Sequence, residues 1–186
     1  MAAIKEKIIL GLDPGTVVMG YAVIQALGAD LKVLQYGVIH LNKYDDHYLR
    51  LKKIFERVES IITEYSPDEV ALEAPFYGQN VQAMLKLGRA QGVAMMAALS
   101  KQIPITEYAP KKVKQAVTGN GNAAKEQVAA MLMKQFKLTE LPEFLDATDA
   151  LAVAICHYYH SKNATGTGGT KKSWKSFVVE NPNRVK

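Results

Sequence analysis

The chain has 186 residues, with 23 basic and 18 acidic side chains and a net charge of +5. That length suits one domain with a core of its own, and no apolar stretch approaches a membrane span. Cys156 is the single cysteine, which excludes an intramolecular disulfide and a cysteine-based zinc site. No signal peptide is visible before Lys7, and a reducing cytoplasm is the expected compartment.

The charge is unevenly placed. Residues 162–186 hold six basic side chains and only one acid, Glu180, so this tail carries the whole excess and the body is neutral. Within the body, Lys101, Lys111, Lys112, Lys114 and Lys125 face only Glu107 over one 25-residue stretch. Such a patch attracts phosphate.

Three strand-like runs come first, Lys7–Leu12, Gly20–Leu27 and Leu31–Leu41, joined by the turn signals Pro14-Gly15 and Gly28-Ala29-Asp30. Leu51, Ile54, Phe55, Val58, Ile61, Ile62 and Tyr65 then recur at helical spacing and predict a helix over 46–65, ended by Ser66-Pro67. A fourth strand, Glu69–Ala74, runs into Pro75. A long helix follows over 80–101, where Gly88, Ala90, Gly92, Ala94 and Ala97 allow close packing on another helix or a second subunit. The fifth strand is Ile103–Tyr108, and helical segments occupy 110–118, 122–136 and 143–160. This order gives an α/β domain over 1–160, a five-stranded mixed sheet with helices on both faces. Residues 161–186 are a basic tail that starts with a Gly/Thr-rich linker.

Four acids sit where charge is expensive. Asp13 ends the apolar run Ile8–Leu12, and Glu73 ends Val70-Ala71-Leu72. Asp146 and Asp149 share one face at the start of the last helix, with Val153 and Cys156 continuing that face into the core. Taken singly, Asp149 suits a helix start and Glu73 a buried ion pair. If the strands of Asp13 and Glu73 are neighbours, however, their carboxylates lie near each other at one sheet edge, and a cluster of four acids then needs protonation or a cation. Two carboxylates 4 Å apart repel by about 4 kcal/mol at an effective dielectric near 20. A hard divalent ion with oxygen ligands relieves that repulsion, and Mg²⁺ suits few carboxylates plus substrate phosphate. Two such ions activate water and stabilise the leaving oxygen of a phosphodiester. The residues alone therefore point to metal-assisted nuclease chemistry.

Several segments, in order, resemble the RuvC Holliday-junction endonucleases. They are Gly11-Leu12-Asp13-Pro14-Gly15-Thr16 with Gly20-Tyr21, then Glu73-Ala74-Pro75-Phe76-Tyr77, then Leu85 to Gly92. Tyr108-Ala109-Pro110, Val113-Lys114-Gln115, Gly119 to Val128 and Asp146 to Ala152 complete the series. The resemblance implies a ribonuclease H-like fold. It also implies a homodimer that binds a four-way DNA junction and nicks opposed strands in recombination and repair. By the same resemblance, Asp13, Glu73, Asp146 and Asp149 are the catalytic, metal-binding acids, holding two Mg²⁺ with Mn²⁺ as substitute. Lys114 and Lys125 then contact phosphate, and Phe76 stacks on a junction base with Tyr77 sharing that role. A branch-migration complex of RuvA and RuvB type proteins is the implied partner.

Other readings are open at this point. A ribonuclease H-like nuclease for structured RNA shares the acids, a non-catalytic junction-binding module shares the basic segment, and Asp13-Pro14-Gly15-Thr16 loosely resembles the phosphate loop of sugar-kinase and actin-like ATPases. Those ATPases need two such halves, and the chain has room for one. Cys156, His157 and His160 together suggest zinc only weakly, because histidine is also favoured at a helix C-terminus.

Overall fold

The computed structural model describes residues 6–75, 80–138 and 145–165. Five strands form one sheet: β1 (Glu6–Asp13), β2 (Val18–Leu27), β3 (Asp30–His40), β4 (Glu69–Glu73) and β5 (Ile105–Tyr108). Their spatial order is β3-β2-β1-β4-β5. The first three pair antiparallel as a meander, while β4 and β5 lie parallel to β1. The expected mixed five-stranded sheet is present.

Alternation along the strands assigns residues to two layers. Leu10 and Leu12 of β1 and Val70 and Leu72 of β4 join a core with α1 (His47–Tyr65) and α2 (Val81–Leu99). Ile9 and Ala71 point the other way, into a core with α3 (Pro110–Thr118), α4 (Lys125–Phe136) and α5 (Asp146–Thr165). Parity then places Asp13 and Glu73 on the α5 side as well. The last helix runs to Thr165, so residues 161–165, read from the sequence as the start of the tail, are helical. Lys162 at that end lies 5.6 Å from the Tyr158 ring, and the Tyr158 hydroxyl donates to the Gly28 carbonyl at 2.8 Å. The remainder of the tail lies outside the described residues, as do Phe76 and Tyr77.

α5 is unusual in being apolar nearly all round: every residue from Ala150 to Tyr158 except His157 is a buried hydrophobic. A helix of that kind must lie deep, and two glycines let it. A Cβ on Gly20 would fall 1.9 Å from the Asp146 carbonyl oxygen, and one on Gly11 would fall 2.3 Å from that of Ala150. Both clashes are with backbone, so β1 and β2 must be bare at these points for the helix to seat. Among the described residues no helix is long and apolar enough to cross a membrane.

Candidate active site

Asp13 is the last residue of β1, opposite Gly20 of β2. On its other side, the parallel pairing of β1 with β4 ends at Leu12 opposite Leu72, so Asp13 and Glu73 are the next residues on adjacent strands. The adjacency on which the sequence argument depended is therefore real. Asp146 and Asp149 arrive from above, in the first turn of α5, whose approach is fixed by Gly20 under the Asp146 carbonyl.

Asp13, Asp146 and Asp149 each offer a carboxylate oxygen within 4.8 Å of the others. Glu73 stands outside that group of three, at the side of the cleft it shares with Asp13, Pro14, Leu87 and Gln91. The electrostatics follow from crowding in a half-buried place. Burial pushes Asp13 up from 3.8 to about 8, with the charges of Glu73 and Asp149 adding to it. Burial, then Asp149, raises Glu73 from 4.5 to about 7. Asp149 is also raised, by burial foremost and by Asp146, against the pull of Lys125. Four acids of this kind are a donor set for a hard cation: all-oxygen, mutually repelling, and partly desolvated.

Lys125, the first residue of α4, is ion-paired with Asp149 through its Nζ. Burial disfavours its charge, but the bond to Asp149 and the negative charges of Asp149, Asp13 and Asp146 together outweigh burial and raise it above the ordinary lysine value. Lys114, half-buried on α3, acts on Glu73 and Asp149 as a nearby positive charge. Both sequence-expected lysines thus stand at the acid cluster. The other three lysines of the basic stretch, Lys101, Lys111 and Lys112, do not appear among its electrostatic neighbours.

Gln91 lies in the Leu85 to Gly92 segment but carries no site role in the sequence pattern. It is 6% exposed, lines the cleft with Asp13 and Glu73, and donates from Nε2 to Glu107 Oε1 at 2.5 Å. The signal available was a lone amide on the otherwise alanine-rich buried face of α2. The histidines near Cys156 have a structural explanation. His157 is buried, with Nε2 donating to Glu69 Oε2 at 2.5 Å and Nδ1 lying 2.9 Å from the Tyr108 hydroxyl. Lys7 holds the other Glu69 oxygen at 2.6 Å. His160 stacks on the Tyr108 ring, and the Cys156 thiol points to the Lys112 carbonyl. Among the described residues the acid trio is the one group arranged to hold a metal.

A β-β-β-α-β-α-β sheet of this topology, with acids gathered where β1 and β4 end, defines a metal-dependent nuclease of the ribonuclease H-like class. More narrowly, the model of the family described as crossover junction endodeoxyribonuclease RuvC matches residues 9–157, and the chain belongs to that family. It is 61% identical to the crossover junction endodeoxyribonuclease RuvC of Cytophaga hutchinsonii, covering 97% of this chain and 89% of that protein. Identity to the Porphyromonas gingivalis protein of the same description is 54%, over 98% of both chains. The fold is similar to Thermus thermophilus RuvC in complex with a Holliday junction substrate, with a TM-score of 0.79 and 32% identity over 86% of this chain and 97% of that one.

Proposed function

We infer that this protein is a structure-specific DNA endonuclease that resolves four-way junctions in the cytoplasm by nicking opposed strands, using Mg²⁺. The observation that carries the reading is the meeting of Asp13, Asp146 and Asp149, from a strand and a helix, beside Glu73. The relatives described as crossover junction endodeoxyribonucleases supply the substrate.

Asp13, Asp146 and Asp149, with Glu73 at the side, are the residues that would hold the cation. Bound there, Mg²⁺ would activate water and stabilise the leaving oxygen. The protein's own contribution is the rest. Burial and crowding push Asp13 up to about 8 and Glu73 up to about 7, so a cation that binds these two carboxylates displaces protons. Lys125 and Lys114 supply positive charge beside those acids, where the phosphate of the scissile strand has to lie. Phe76 and Tyr77 directly follow the cleft residues Glu73, Ala74 and Pro75 in sequence, a place suited to stacking on an unpaired junction base.

Cutting two opposed strands calls for two such sites, and α2 supports a homodimer. Its buried face carries Ala90, Ala94, Ala97 and Ala98. Its outer face leaves Val81, Leu85, Met96 and Leu99 half exposed or more. Gly88 and Gly92 lie in the same stripe, and a Cβ on either would meet nothing within 4 Å. An apolar seam spaced by three and four residues with two bare glycines suits a second α2 packing closely against it. A branch-migration complex of RuvA and RuvB type proteins is the further partner that membership of the family supports.

The experiment is a nicking assay on a fixed four-way junction, a linear duplex of the same sequence and a structured RNA, with Mg²⁺ or with EDTA. Paired, symmetric nicks in the junction alone, abolished by EDTA, are expected. Equal cutting of linear duplex, preferential cutting of RNA, or no cutting with any divalent ion would each overturn the reading.

A further inference from the structure

A second concavity, about 380 Å³ in volume, lies between the β1–β2 loop and the starts of α1 and α2, lined by Thr16, Asp45, His47, Arg50, Asn80 and Lys86 among others. It shares no lining residue with the acid cleft. It is nonetheless a neighbour of that cleft. Thr16 follows Asp13 by three residues, and Lys86 is next in sequence to Leu87, which lines the cleft.

The charge in this pocket is not cancelled. The Arg50 guanidinium is fixed by two neutral carbonyl oxygens, Nε on Tyr44 O at 2.6 Å and one terminal nitrogen on Thr16 O at 3.0 Å. Those bonds orient the fork without neutralising it. Lys86 is exposed and makes no ion pair among the described residues. His47 contributes the one buried side-chain nitrogen, Nε2, that lacks a hydrogen-bond partner among the described residues. A buried polar atom left unpaired in a native fold calls for a partner. The positive end of α2, capped through Asn80, opens on the same space. Among the described lining residues the one opposing group is Asp45, exposed at the rim; the neighbouring Asp46 carboxylate accepts from the Tyr48 and Leu49 amides as the α1 cap.

We propose that this pocket is a phosphate subsite for the DNA backbone beside the scissile strand, with Arg50 and Lys86 supplying charge and His47 Nε2 a hydrogen bond. The proposal rests on the junction-nuclease reading and adds to it a contact separate from the acids and from Lys114 and Lys125. It assigns to the β1–β2 loop a mechanical part: Arg50 ties that loop to a bound phosphate, and the loop is continuous with Asp13.

The test uses the full chain and a labelled fixed four-way junction in EDTA, with affinity measured by anisotropy across roughly 50–200 mM KCl, the range over which phosphate contacts show their salt dependence. Lys86→Ala is expected to weaken binding about 3–10-fold and to lower the slope of log K against log salt by about 1, one phosphate contact's worth. Asp45→Asn is expected to tighten binding, because it removes the one opposing charge. Lys52→Ala, on the solvated face of α1, is the control and should match wild type; Lys52 is 72% exposed and pairs with Glu56. Both test residues are exposed, so folding is not at stake. Wild-type affinity and slope in Lys86→Ala, or no tightening in Asp45→Asn, overturns the subsite. A loss in Lys52→Ala equal to that in Lys86→Ala also overturns it, because the effect is then diffuse charge. If the wild-type chain itself does not bind the junction, it is the functional reading that fails.

Discussion

Replacing Asp13 by asparagine should stabilise the metal-free protein at alkaline pH while abolishing its response to metal. In the unfolded chain Asp13 loses its proton near 3.8; in the fold it holds that proton to about 8. Between those values the folded state binds more protons than the unfolded state. The free energy of unfolding therefore falls as pH rises through that window and levels off above it. A span of about 4 pH units at about 1.36 kcal/mol each sets a ceiling near 6 kcal/mol. Water entry and side-chain relaxation reduce this, and about 1–3 kcal/mol at pH 8 is a realistic share. In a chain of this size 1 kcal/mol moves Tm by about 2–4 °C. Asp13→Asn is thus expected to melt roughly 3–10 °C above wild type at pH 8 in EDTA, and within a degree or so of it at pH 4, where the wild-type group is already neutral. Added Mg²⁺ should raise the wild-type Tm and leave the variant unmoved. The assay is thermal melting followed by circular dichroism at both pH values, with EDTA and with Mg²⁺. A variant that melts at or below wild type at pH 8 would refute the desolvated, crowded carboxylate. A variant that keeps the full Mg²⁺ response would refute its place in the metal site.

Three further outcomes are expected. Gly20→Ala drives a methyl onto the Asp146 carbonyl, so it should destabilise the fold by about 2–4 kcal/mol and weaken Mg²⁺ binding measured by calorimetry. Met96→Glu on the outer face of α2 should convert the proposed dimer to monomer in light scattering without lowering Tm by more than a few degrees, since Met96 is 55% exposed. His157→Leu takes the partner from the Tyr108 hydroxyl and leaves Glu69 with Lys7 alone; a loss of about 1–3 kcal/mol in urea unfolding is expected, with no added zinc able to restore it.

The elements and the candidate residues are legible in the sequence alone. Apolar runs broken by Pro-Gly and Ser-Pro mark β1, β4 and the end of α1, because local backbone chemistry writes those boundaries directly. A charge at the end of an apolar strand is visible as an anomaly without any structure, so Asp13 and Glu73 stand out, as does the pair Asp146 and Asp149 at helical spacing. What a linear pattern does not contain is which strand lies beside which. β1 and β4 are separated in the chain by β2, β3 and α1, yet they pair in parallel, a long-range choice made by two-sided burial of both strands. The same holds for the depth of α5. Gly11 and Gly20 read as ordinary strand glycines until the helix backbone is found against them. Tertiary packing alone brings three acids to one point while Glu73 stands to the side. It also selects Lys125 rather than Lys111 to reach Asp149, and brings Arg50 and Lys86 together over the β1–β2 loop. The physical reason is common to all of these. Local propensity fixes each element's type, but the distance between two charges on different elements is set by packing, and packing is a property of the whole core.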